Sequence, residues 1–379
     1  MMKLMHLSDL HLGKIVNNFS MLEDQKYILE QILDIQREER PDGVLIAGDV
    51  YDKRIPTAEA VTLLDDFLSR LAKLCPVYLI SGNHDSAERL AFGGRLMSAA
   101  GVHISPVYDG TVKTVECSDE FGPVQIHLLP FLKPAHVRKY YQEARIESYT
   151  DAVRTALSGI DREDGKRHVL LTHQLVTGAL HCGSEELSIG GSDDVNADAF
   201  YGFDYVALGH LHGPQRAGGD HIRYCGTPLK YSFSEKDHRK SVTFVTLREK
   251  GNVEITTRPL KPLRDLKELR GTYRELMERS FYEGTDLPGC YLRIILTDEE
   301  DVPEAMGRMR QVYKYIMALD YDNTRTRTTG SALQERTEIR TSPMDLFARL
   351  YETQNNQPMS EQQARWLREL IEDIWEGEA

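Results

Sequence analysis

Cysteine is scarce in this chain, and none of its five residues (Cys75, Cys117, Cys182, Cys225, Cys290) stands in CxxC spacing. The odd count and wide scatter exclude a disulfide framework and a thiolate zinc site, leaving reduced, mostly buried thiols as the expectation. Long apolar runs are lacking too. Nothing approaches the roughly 18 to 20 residues that span a bilayer, and the N-terminus meets Asp9 before any signal-peptide core forms, so a soluble, cytoplasmic protein is expected. Positive charge is in deficit. With 46 Lys and Arg against 59 Asp and Glu, a formal charge of −13 argues against broad electrostatic capture of nucleic acid. Any DNA contact must be local, metal-assisted or shared with a partner. No P-loop, internal repeat or low-complexity tract occurs, so the chain is not expected to hydrolyse ATP alone.

What is present is a globular chain of 379 residues, 41% hydrophobic, enough for a sizeable core plus one or two smaller units. Strand-like runs alternate with helical periodicity through the first half: "KLMHLS", a helix near 21–39, "GVLIAGD", a helix near 57–74, then "VYLISGNHD". That alternation predicts an α/β architecture with helices covering sheets. Further strands read as "VQIHLLPF", "HVLLTHQ", "DYVALGHLH", "IRYCGTP", "SVTFVTLRE" and "VEITTRPL". The last several follow closely without intervening helices, which predicts a second, largely antiparallel sheet. Near residue 259 the character changes. "PLKPLRDLKELRGTYRELMERS" carries prolines and then charged helical residues; "CYLRIILTD", another helix to about Leu319 and "NTRTRTT" follow, reading as a small α/β unit. After Ser342 and Pro343 come two apolar stripes at i, i+3, i+4 spacing: Leu346, Phe347, Leu350 and Tyr351, then Trp366, Leu367, Leu370, Ile371 and Ile374.

Apolar runs end repeatedly in metal-capable residues: Asp9 and His11 in "HLSDLHLG", Asp49 in "AGDVYD", Asn83 and His84 in "GNHD", His173 in "LLTHQ", His210 and His212 in "GHLH". If the first strand stays extended, Asp9 and His11 leave it on the same side. Residues at the carboxyl ends of strands in layered α/β folds converge on one crevice, so these positions can meet in space. Their oxygen and nitrogen donors exceed what one tetrahedral ion needs; two ions with a bridging carboxylate would use them all. One ion would take Asp9, His11 and His212, the other Asn83, His173 and His210, with Asp49 bridging. Such a pair, roughly 3.5 to 4 Å apart, polarises a phosphoryl group and lowers the pKa of a bridging water, which is the chemistry of phosphoester hydrolysis.

His84, left beside the metals, would act as general acid. Asp52 would accept a hydrogen bond from His84 and fix its tautomer, while Gly48 and Gly82 suit tight turns at the site. Each motif alone has a bland reading: DxH as a capping feature, "GNHD" as an ordinary loop. The ordered set decides. His6 reads as a core histidine, and His103, His127, His136, His168, His221 and His238 show no partner spacing. His181, Cys182 and Glu185 fall in a Gly/Ser-rich loop and read as solvated.

Over about residues 1–257, "SDLHLG", "AGDVYD", "SGNHD", "LTHQ" and "GHLH" resemble the calcineurin-like metallophosphoesterase superfamily. Two branches fit poorly. Purple acid phosphatases carry a tyrosine where this chain has Asp52, and protein Ser/Thr phosphatases read GDxVDRG and GNHE. "SDLHLGK", "GNHDSAERL", "LSIGGSDDV", "FDYVALGHLHGPQ" and "YCGTPLKYSFSE" resemble instead the SbcD family of bacterial nuclease subunits.

That resemblance implies a sandwich of two mixed β-sheets flanked by helices over 1–257, an α/β cap over 258–336 that binds DNA, and a C-terminal helical segment over 340–379 that binds an SbcC-like ATPase. It implies a manganese-dependent exonuclease and endonuclease acting on double-stranded and hairpin DNA in repair, recombination and replication. Two divalent ions would be held by Asp9, His11, Asp49, Asn83, His173, His210 and His212, with His84 catalytic. A homodimer within a heterotetramer, cytoplasmic and nucleoid-associated, is expected. Lys53, Arg54 and Arg89 lie next to the catalytic motifs and could touch phosphates, although a solvated surface suits each of them better. The rival readings are a small-molecule phosphodiesterase or phosphatase on the same fold and a non-catalytic scaffold for the ATPase.

Overall fold

The computed structural model describes residues 1–183, 185, 193–324, 326, 344, 347–348, 350–352 and 358–377, with side chains described as far as 371. Most of "LSIGGSDDV", the Ser342-Pro343 break, Leu346, the side chain of Ile374 and both proposed boundaries at 336 and 340 lie outside these residues.

Two six-stranded sheets pack face to face. The first runs, edge to edge, Val253–Pro259, Ser241–Leu247, Met2–Leu7, Gly43–Ala47, Val77–Ile80, Val102–Ser105. The second runs Gln215–Arg216, Ile222–Tyr224, Tyr205–Gly209, Arg167–His173, Gly122–Leu129, Lys113–Asp119. Between them lies an apolar layer that includes Leu4, Leu45, Ile80, Ile126, Val169, Ala207 and Val245.

Helices cover the outer faces. Ala58–Ala72 buries Ala60, Leu64, Phe67, Leu68 and Leu71 along one stripe, and Thr57 caps it by accepting from the Ala60 N–H. Leu22–Glu39 buries Ile28, Leu29, Ile32, Leu33 and Ile35 beside it. On the second sheet, Tyr149–Leu157 starts in a Ser148/Asp151 capping box and packs Ala152, Val153, Ala156 and Leu157 inward. No helix among the described residues is long and apolar enough to cross a membrane.

The second sheet is not largely antiparallel. Gly122–Leu129, Arg167–His173, Tyr205–Gly209 and Ile222–Tyr224 pair in parallel, with antiparallel neighbours only at the two edges. Its central strands Arg167–His173 and Tyr205–Gly209 are buried throughout, as strands covered on both faces must be. The hairpin Ser241–Leu247/Val253–Pro259 crosses back and pairs antiparallel with Met2–Leu7 in the first sheet. Nearness in sequence was misleading there.

Beyond residue 259 a three-stranded parallel sheet, Leu266–Gly271, Tyr291–Leu296 and Tyr315–Tyr321, carries short helices such as Tyr273–Leu276 and Ala305–Met309. "DLKELRG", charged and helical in appearance, is a strand because parallel pairing with Tyr291–Leu296 outweighs its local preference. The predicted helix reaching Leu319 stops at Met309 for the same kind of reason. This unit is fastened to helix Leu22–Glu39: Tyr291 Oη and Arg264 both donate to the buried Asp24 carboxylate, at 2.7 and 2.8 Å, and Arg264 also reaches Glu23.

Candidate metal centre

The parallel strands of both sheets end at one edge, and the predicted donors gather there. The pleat is not what brings Asp9 and His11 together. Strand Met2–Leu7 stops before them, and both residues take left-handed backbone, φ 53° and 44°. Asp49 and His210 do the same, at φ 48° and 100°. Such conformations cost of order 1–3 kcal/mol each for residues with a Cβ, and they cluster where a structure holds side chains for a task. Segment 9–12 is held against 48–50 by Asp9 N–H to Gly48 O, His11 N–H to Asp49 O and Leu12 N–H to Val50 O, at 2.9–3.0 Å.

Close approach explains two glycines. A Cβ on Gly82 would lie 2.0 Å from Asp49 Oδ1, and one on Gly48 (φ +81°) would lie 2.5 Å from His173 Nδ1. Any side chain at either position would displace a donor.

Asp9, His11 and His212 present donor atoms within 4.8 Å of one another, and so do Asp9, Asp49 and His173. Asp49 Oδ2 is the hub, 3.4 Å from His173 Nε2, 3.7 Å from His11 Nε2 and 3.9 Å from His84 Nε2. On the other side Asn83 Oδ1 faces His173 Nε2 at 3.0 Å and His210 Nδ1 at 3.1 Å. His11 Nε2 and His212 Nε2 oppose each other at 3.2 Å. His173 donates its Nδ1–H to Ala47 O at 2.8 Å, which aims its Nε2 lone pair inward. His11 Nδ1 and His210 Nε2 are buried without a hydrogen-bond partner. Imidazole nitrogens turned on one another around two buried carboxylates and an amide oxygen are a donor set that suits two divalent ions.

The electrostatics agree with that fit. Burial pushes Asp9 up to about 6, with the Asp49 charge adding to it. Burial would raise Asp49 as well, but His173 and His84 hold it well below the usual carboxylate range. His173 responds in kind: burial would lower it, yet Asp49 beside it raises it to about 9. A proton on His173 therefore balances Asp49, and a cation would have to displace it, so metal affinity should fall as pH falls.

His84 sits at the rim, 16% exposed, its ring edge-on to His11. Its Nδ1–H donates to the backbone carbonyl of Asp52 at 3.1 Å. This corrects the role given to the Asp52 side chain. That carboxylate turns instead to Lys14, accepting from its Nζ at 2.6 Å in a charge-assisted bond.

Several contributors had no role in the sequence reading. Asp85, last of "GNHD", accepts from Val50, Tyr51 and Gly82 N–H at 2.9–3.1 Å and ties two donor loops together. Gln25 holds the His11 carbonyl and the Gly13 N–H. Glu185 is not solvated: its carboxylate is buried and accepts from the His212 N–H at 2.7 Å. Glu235, at the end of "SFSE", faces His212 Nδ1. The motifs "GNHD" and "YCGTPLKYSFSE" contained two of these signals.

Residues 2–214 match the calcineurin-like phosphoesterase family. A Staphylococcus epidermidis protein, the SbcD component of the nuclease SbcCD, is 34% identical over 323 residues, covering 84% of this chain and 85% of the relative. The chain is an SbcD-family phosphoesterase. Residues 262–355 of this SbcD-family chain also match the "Type 5 capsule protein repressor C-terminal domain". Among solved structures, a dimetal phosphatase from Danio rerio aligns at TM-score 0.42 and 14% identity, covering 68% of this chain and 96% of that one. A Thermus thermophilus protein aligns at 0.38 and 12%, covering 68% and 98%. Membership makes the SbcD-family chain a metal-dependent phosphodiesterase.

Proposed function

We propose that this chain is the nuclease subunit of an assembly with an SbcC-like ATPase, cutting double-stranded and hairpin DNA in end processing, repair and recombination. The observation that carries the reading is the convergence of Asp9, His11, Asp49, Asn83, His173, His210 and His212, with His84 at the rim. Asp9, His11 and His212 form one half, Asn83, His173 and His210 the other, and Asp49 is shared. Two divalent ions, manganese in this reading, supply the polarisation of the phosphoryl group and the activation of water.

The protein's own residues do the rest. His84, held by the Asp52 carbonyl, presents Nε2 to the cleft and in its imidazolium form donates a proton to the leaving oxygen. Residues 1–257 carry this chemistry, 258–336 cap it and contact DNA, and 340–379 bind the ATPase. Helix Glu361–Gly377 leaves Trp366 and Leu370 largely exposed one turn apart, a face that suits a partner helix. Phe92 and Leu96, 87% and 81% exposed just after the Asn83 loop, suit burial against a second copy within a cytoplasmic, nucleoid-associated heterotetramer.

The test is cleavage of end-labelled duplex and hairpin DNA with Mn²⁺, Mg²⁺ or EDTA, with and without the ATPase. Cutting that Mn²⁺ supports, EDTA abolishes and partner plus ATP stimulates is the expected result. Rapid hydrolysis of a small phosphodiester with no action on DNA under any condition would transfer the chain to the small-molecule branch.

A further inference from the structure

We infer that Glu235 and Lys240 form a buried positioning pair that aims His212 at the metal centre. His212 is gripped at three points. Its N–H donates to Glu185 Oε1 at 2.7 Å, its carbonyl accepts from Lys240 Nζ at 2.9 Å, and its ring Nδ1 faces Glu235 Oε1 at 3.2 Å. Glu235 and Lys240 are themselves buried and joined, Nζ to Oε2, at 2.5 Å, with Thr227 Oγ1 accepting a further Lys240 bond at 2.6 Å. The short helical turn Phe233–Glu235, whose Ser232 hydroxyl accepts from the Ser234 N–H, returns the chain so that Glu235 lies against the imidazole.

The arrangement has a direct chemical consequence. With Nδ1–H donating to a carboxylate, His212 keeps its lone pair on Nε2, which points toward His11 Nε2 at 3.2 Å, and the carboxylate makes that nitrogen a stronger donor. His173 in the other half has only the neutral Ala47 carbonyl behind it. Lys240 allows a carboxylate to remain ionised there without leaving an uncompensated charge in the interior. Stability alone does not account for the pair, since a buried ion pair is commonly no more stabilising than an apolar replacement. One ammonium that binds both Glu235 and the His212 backbone fixes ring and main chain together.

This inference rests on the metal-centre reading above. The experiment is calorimetric titration of Mn²⁺ into the full-length protein, its Glu235→Gln variant and the double variant Glu235→Gln/Lys240→Met, with cleavage assayed across Mn²⁺ concentration. The expected result is a 10- to 100-fold weaker affinity in one of two binding events, with cleavage recovering at saturating Mn²⁺. If Glu235→Gln fails to fold because Lys240 is stranded, the double variant, which removes both charges, carries the test. Parental affinity in a folded variant, with only a lowered melting temperature, would mean the pair is merely structural and would overturn the inference alone. Absence of Mn²⁺ binding by the parent protein would overturn the metal-centre reading and the inference with it.

Discussion

Strand Arg167–His173 meets other histidines at both ends, and the two groupings differ in how their ring nitrogens are used. At its start, His168 Nδ1 stands 3.0 Å from His127 Nε2 with the rings stacked. At its finish, His173 joins a cluster in which His11 and His212 approach to 3.2 Å. The first contact is one link in a closed chain: Thr114 Oγ1 lies 2.9 Å from His127 Nδ1, and His168 Nε2 lies 2.9 Å from Asp164 Oδ1. Each ring nitrogen there has a hydrogen-bond partner, and the backbone is regular strand. The second contact sits among buried carboxylates, with ring nitrogens at His11 and His210 left without partners and left-handed backbone at Asp9, His11, Asp49 and His210. Imidazoles brought close do not make a metal site. Lone pairs that the fold leaves unspent, beside carboxylates and on strained backbone, do.

The comparison can be broken most forcefully at His84. His84→Gln should lower kcat for DNA cleavage by roughly 10²–10⁴-fold, the usual worth of a positioned acid, with metal content unchanged. A variant that instead loses bound Mn²⁺ would make His84 a ligand and remove it from proton transfer. The corresponding change at the far pair, His127→Asn, should leave kcat at the parental value.

The far pair should show itself in acid. Burial, reinforced by His168, pushes His127 down to about 4 from an ordinary 6.5. A histidine held neutral by the fold contributes stability that is complete above its unfolded value and is lost as pH falls from 6.5 toward 4, by up to about 3 kcal/mol. Urea denaturation across that window should show a loss in the parent that His127→Asn reduces. Equal slopes in the two proteins would sink the assignment.

Much of the site was legible because each donor follows an apolar run that must be a strand, and strand ends converge. Asp9, His11, Asp49, Asn83, His173, His210 and His212 could be gathered on that ground alone. How Asp9 and His11 come together could not be read: pleat alternation predicts the same side, whereas left-handed turns past Leu7 do the placing. Glu235 and Asp85 stood in quoted motifs, yet their roles depend on partners 23 and 35 residues away, and nothing local marks a carboxylate as an orienting group. The sequence points to the Asp52 side chain as the partner of His84, whereas the contact is made by the Asp52 backbone carbonyl, which every residue type carries. The strand order was lost where pairing is non-local, as in Ser241–Leu247 returning to Met2–Leu7.

The smallest effect should come from Thr114, and it tests which form of His127 the hydroxyl serves. If Asp164 accepts from His168 Nε2–H, then His168 Nδ1 accepts from His127 Nε2–H, and the neutral His127 Nδ1 accepts from the Thr114 hydroxyl. Once Nδ1 is protonated, the same hydroxyl oxygen can turn and accept from Nδ1–H, and that charge-assisted bond is the stronger of the two. Thr114→Val preserves shape and removes both bonds, so it should cost about 1 kcal/mol at neutral pH. The folded pKa of His127 should fall further below 6.5, readable by NMR titration of the ring. A rise in that pKa would mean that the hydroxyl serves the neutral ring alone. At the opposite end of the strand the same substitution should change nothing: metal affinity and kcat depend on donors that share no hydrogen bond with this chain.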